Sequence, residues 1–112
     1  MLEYIRILPV KRIRIRVGTE TFVDSTRGMV LYEGIQPPRY YVPREDVKAA
    51  LADGVDVALC QHKGRWKGLD VTVGDRKISG AAWTIYDPAR ATEAVKDFVA
   101  FHANKVDALV VD

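Results

Sequence analysis

Lys11-Arg12-Ile13-Arg14-Ile15-Arg16-Val17 decides the fold class. Strict alternation of charged and apolar residues over a strand-length window has the two-residue period of a half-buried β-strand. Ile13, Ile15 and Val17 belong to one side, and Arg12, Arg14 and Arg16 form a cationic row on the other. Two readings of that row stand: a phosphate-contacting stripe, or an edge strand kept soluble by its charges. No aromatic residue interleaves the arginines, which favours the second.

The same alternation recurs on either side. Gly18-Thr19 turns the chain into Glu20–Asp24 with Phe22 inward, Asp24–Gly28 is a polar turn, and Met29–Glu33 is a further strand. Gly34–Pro38 breaks the strand, and Arg39–Pro43 runs extended, as residues before proline do. Arg44–Leu51 reads as a helix: Val47, Ala50 and Leu51 share a face, Glu45 and Asp46 occupy the first turn, and Gly54 gives a stop. Val55–Cys60, Leu69–Val73, Lys77–Ser79 and Ala81–Tyr86 read as strands, with a hairpin turn at Gly74-Asp75. Ala91–Asp97 suits a helical turn or two. Phe98–His102 and Val106–Val111 read as a closing pair bent at Asn104-Lys105. The expected fold is therefore mainly β: one domain, 1–112, of compact coiled antiparallel sheets, partly barrel-like, with one short packed helix over about 44–52.

Composition narrows the function. Seventeen Lys and Arg against fifteen Asp and Glu leave a net charge of +2, too balanced for general nucleic-acid binding, so any basic function is local. The lone Cys60 excludes an internal disulfide and a multi-cysteine zinc site, in keeping with a cytoplasmic protein. Arg6, Lys11 and Arg12 interrupt the apolar residues of the N-terminus, so no signal peptide is expected there, and no apolar run approaches the roughly 20 residues that span a bilayer.

The chemistry concentrates in Val57–Trp66, V-A-L-C-Q-H-K-G-R-W. His62, Lys63 and Arg65 would favour a Cys60 thiolate if they converged on it, and on a continuing strand only His62 shares the side of Cys60. A buried structural cysteine is the competing reading. Lys63, Arg65 and Lys67 beside glycines suit an anion contact or a solvated hairpin. Trp83, between alanines and threonine, reads as core, and Trp66, among charges, as the more exposed ring. Tyr40 and Tyr41, in a proline-stiffened segment with Arg39, either recognise a ligand or straddle a strand, one buried and one half-exposed. His102 sits at a strand end with no second histidine or cysteine at ligand spacing.

Several blocks together resemble the bacterial family called domain of unknown function 427, which has also been labelled a nucleotidyltransferase domain. They are Pro37-Pro38-Arg39-Tyr40-Tyr41-Val42-Pro43-Arg44-Glu45-Asp46-Val47, Cys60 with Lys63-Gly64, Ala81-Ala82-Trp83 with Asp87-Pro88, and Val99-Ala100-Phe101 with Val106-Asp107. They run in the family's order over nearly the whole chain beyond Val10. One departure falls at Gln61-His62, where the family pattern resembles proline followed by an aromatic residue. The nucleotidyltransferase label implies clustered carboxylates for divalent ions and donors for phosphates. This sequence has neither an Asp-x-Asp pair nor a glycine-rich phosphate loop, and Asp53 and Asp56 are spaced wrongly for the task.

The expected function is binding of a small anionic ligand, including nucleotide- or phosphate-containing ones, by Arg39, Tyr40, Cys60, His62, Lys63, Arg65, Trp66 and Trp83. The alternatives are a non-catalytic homo-oligomeric interaction module and thiol chemistry at Cys60. No cofactor, no metal and no membrane partner is expected.

Overall fold

The computed structural model describes residues 4–60 and 62–112; Met1–Glu3, Gln61 and the Asp56 side chain lie outside what it describes, including the sequence readings placed on them. Ten strands occur among the described residues: β1 (Ile5–Pro9), β2 (Ile13–Val17), β3 (Glu20–Ser25), β4 (Met29–Glu33), β5 (Arg39–Val42), β6 (Ala50–Cys60), β7 (Gly64–Val73), β8 (Arg76–Pro88), β9 (Val99–Phe101) and β10 (Ala108–Val111). They form a seven-stranded antiparallel sheet, β1-β4-β5-β9-β8-β7-β6, and a three-stranded one, β10-β2-β3.

The alternating stretch is β2, and Ile13, Ile15 and Val17 are all buried. It is the central strand of its sheet rather than an edge strand, because β10 arrives from the far end of the chain to pair with it. Its arginines meet nearby oxygens: Arg12 binds Asp24 at 2.8 Å, Arg14 binds Asp112 at 3.2 Å, and Arg16 donates to the Gly18 carbonyl.

The sheets are not rolled into a barrel. β1 and β6 end the seven-strand order without pairing with each other, so the sheet stays open. The reason lies in burial. A small barrel keeps one face of every strand inside, whereas the central strands here bury both. Val42, Ala82, Val99 and Phe101 join Leu69 and Val71 in one cluster, together with Ile13, Ile15 and Phe22 of the smaller sheet. Tyr41, Trp83 and Ala100 join Leu31, Ile85 and Val95 in a second. Sequence neighbours thus point to opposite faces, and each face needs its own cover.

The helix expected over about 44–52 is also corrected. Arg44–Asp46 forms a single 3-10 turn, Val47 bridges to Val23, and β6 begins at Ala50. Val47, Ala49 and Leu51 pack on the first cluster while Lys48, Ala50 and Ala52 stay exposed. That is a two-residue period, which alanines at both inward and outward positions disguised as a helical one. Gly54 is no stop either; the β6–β7 register shifts between Asp53 and Val57 and the strand continues. The expected closing pair separates too, since β9 lies between β5 and β8 while β10 joins the other sheet.

Candidate functional site

The second face of the large sheet is incompletely covered. A 3-10 turn at Arg90–Val95 lays the buried Val95 on it, and beside this a cavity of about 220 Å³ remains, lined by Arg39, Cys60, Lys63, Trp66, Trp83, Ile85 and His102. Its apolar side is built by strand register. Trp66 lies opposite Ile85, Gly68 opposite Trp83, and Trp83 opposite Ala100. Trp83 Nε1 donates to the hydroxyl of the buried Tyr41 at 3.2 Å, and the rings meet edge to face, which fixes the indole. Burial pushes the Tyr41 phenol up to about 12, an effect the Trp83 hydrogen bond only partly offsets. The His102 ring lies against Trp83 with centroids 4.6 Å apart.

The polar side comes from the strand ends. β6 ends at Cys60 and the chain turns back, with Lys63 N–H donating to the Cys60 carbonyl at 3.2 Å. Gly64 makes the turn possible. Its φ is +96°, and a Cβ there would lie 2.5 Å from Ala89 N and closer still to the Asp87 carbonyl oxygen. The buried Thr92 then clamps the turn, its hydroxyl donating to the Lys63 carbonyl at 2.7 Å. Lys63 Nζ pairs with Glu33 at 3.0 Å, and the Glu33 side chain is only 12% exposed. Arg39 opens β5 opposite Leu31 and makes no ion pair among the described residues.

Arg39 also borders two further hollows. One is lined by Leu31, Glu33, Gln36, Pro37 and Lys63. The other is a groove of about 550 Å³ with Tyr40, Trp83, His102 and Asn104 among its walls. The arginine therefore stands where three concavities meet.

The residues named from sequence divide accordingly. Arg39, Cys60, Lys63, Trp66 and Trp83 share the cavity, and Tyr40 lines the neighbouring groove. Tyr40 and Tyr41 straddle β5, half-buried and buried respectively. His62 is exposed in the turn, and Lys63 rather than His62 shares the cavity with Cys60, because the strand stops at Cys60 and the two-residue parity stops with it. Arg65 points elsewhere, paired with Asp87 at 3.6 Å, and Lys67 pairs with Asp53 at 3.1 Å and lies over the Tyr86 ring. Glu33, Ile85, His102 and Thr92 also belong to the surroundings of the cavity, and residue type alone does not mark them. Only spatial pairing reveals them, since each meets its partner across strands distant in sequence.

Among the described residues no group of three or more His, Cys, Asp or Glu side chains could hold a metal ion. Among the same residues no helix is long and apolar enough to cross a membrane.

The sequence blocks that carried the family resemblance meet around this site. Gly64 pairs with Pro88, Tyr41 and Trp83 both with Ala100, and Val42 with Val99. Comparison with curated proteins finds no match. Residues 6–112 match the family model described as Domain of unknown function (DUF427), and the chain belongs to that family.

Proposed function

We propose that this domain binds a small anionic ligand in the Trp66–Trp83 cavity, with Arg39 as its principal charge contact. The convergence of Arg39 and Lys63 over an apolar floor carries the reading. Binding sites are mostly apolar hollows with a few polar groups placed to orient the ligand. Arg12, Arg14, Arg27, Arg65 and Arg76 have carboxylate partners; of the arginines without one among the described residues, Arg6, Arg16, Arg39, Arg44 and Arg90, Arg39 is the one that lines this cavity. A half-buried guanidinium without a counter-ion favours an incoming acid group, which it can grip with two parallel hydrogen bonds.

Thermal melts against a panel of inorganic phosphate, mononucleotides and small carboxylates test this. A ligand at about 100 times its Kd adds roughly 2.7 kcal/mol, several degrees for a chain of this size. The shift should appear in the wild type and in Arg65→Ala and vanish in Arg39→Ala. A panel that leaves the melt unmoved would overturn the reading.

A second reading has its own observation. β6 is an edge strand, and Val55, Val57 and Leu59 on it are 96%, 64% and 67% exposed. Such an edge favours pairing with a second copy of the chain. On that reading the melting temperature rises with protein concentration, whatever the ligand.

A further inference from the structure

We infer that the ligand is a small aromatic monoanion, an aryl or arylalkyl carboxylate in class, rather than a phosphate ester or nucleotide; this rests on the anion-site reading above and narrows it. Size is the first argument. A cavity of about 150 Å³ holds benzene, so about 220 Å³ takes one ring and a short acidic arm. Pockets for drug-sized ligands begin near 300 Å³. The walls give the second argument, because Trp66, Trp83 and Ile85 offer flat apolar surface that suits a ring.

Charge is the third, and it decides between acids. Lys63 is already committed to Glu33 at 3.0 Å, in surroundings that leave both side chains mostly buried. Counting permanently charged groups, Arg39 and Lys63 against Glu33 leave a single net positive charge. One negative charge completes it. A second would sit near the Glu33 carboxylate uncompensated, in a place poorly screened by water. The wider groove beside the cavity does not change the count: among its lining residues Arg39 is the one permanently charged group. It adds room for a substituent and no second cation for a dianion.

The chain has two tryptophans, and both line the cavity, so intrinsic fluorescence reports directly on this site. The probes are phenylacetate, inorganic phosphate and adenosine monophosphate, all titrated at one fixed pH of about 8. We expect saturable quenching by phenylacetate, with phosphate and the nucleotide weaker by about tenfold or more. Arg39→Gln should lose the phenylacetate response, Arg39→Lys should keep part of it, and Arg65→Gln should keep it all. Glu33→Gln removes the carboxylate that holds Lys63 and should improve phosphate binding by about tenfold.

Quenching by phosphate or nucleotide at least as tight as by phenylacetate, and lost in Arg39→Gln, would overturn the aromatic monoanion while leaving an anion site. Failure of Glu33→Gln to improve phosphate binding would overturn the charge count. No response to any probe, or a response unchanged in both Arg39 variants, would overturn the inference and the anion-site reading together.

Discussion

Val42, Ala82, Val99 and Phe101 on one face of the large sheet, and Tyr41, Trp83 and Ala100 on the other, come from the same three strands. The first face is sealed by the β10-β2-β3 sheet, and apolar contact accounts for it. The second keeps Arg39, Lys63 and Glu33 beside an apolar floor. Holding charges half-buried costs desolvation that a fold needing only stability would avoid. The difference teaches where to look: residues on the sealed face serve the fold, and those on the open face are the ones the proposed binding site draws on.

The largest effect that would sharpen this contrast belongs to the sealed face. Leu69→Ala deletes a fully buried side chain and should cost about 2–5 kcal/mol in denaturant unfolding, yet leave the anion response of the folded fraction intact. Trp66→Ala, on the open face, should reverse the pattern, costing less stability and removing the response. Equal behaviour of the two variants would break the distinction.

Gly64→Ala comes next. The added Cβ collides with backbone at Asp87–Ala89, and the +96° φ is strained for alanine. We expect a loss of roughly 2–4 kcal/mol, measured by chemical denaturation, with the anion response lost because Lys63 is displaced.

Tyr41→Phe probes the layer beneath the cavity. It strips the acceptor from the buried Trp83 indole and should cost about 1–3 kcal/mol. The variant also carries a pH signature. The folded pKa of Tyr41, about 12, lies above its ordinary value of 10.0. Its contribution is therefore complete below about pH 10 and lost as pH rises through about 12. Stability measured across that window should fall less steeply in Tyr41→Phe than in the wild type.

Arg12→Ala should have the smallest effect, a midpoint in chemical denaturation scarcely moved from that of the wild type. Its exposed pair with Asp24 raises the Arg12 pKa and lowers that of the carboxylate, but water screens such pairs. A ligand response lost in Arg12→Ala would move the site to the other sheet.

Local features were legible in the sequence. The alternation of Ile13, Ile15 and Val17, the turns at Gly18 and Gly74, and the strands around them are set by neighbours a few residues away. The helical pattern over 44–52 misleads because alanine serves a helix face and a strand edge equally well. The pairings of β10 with β2 and β9 with β5 join distant segments, and no local pattern announces them. The same holds for the candidate site. Arg39, Cys60, Lys63, Trp66 and Trp83 stand out by residue type, whereas Glu33 becomes visible only when β4 brings it to Lys63. The separation of Arg65 from Lys63 likewise depends on where β7 begins.

The most direct measurement is an amide and indole nitrogen NMR titration of the labelled full chain with phenylacetate and with phosphate. The account predicts that the Trp66 and Trp83 indole signals move together with the Arg39 and Lys63 amides, while those of Arg12, Arg14 and Arg16 stay still. Movement centred on the Arg12–Arg16 row, or spectra unchanged by both anions, would contradict it.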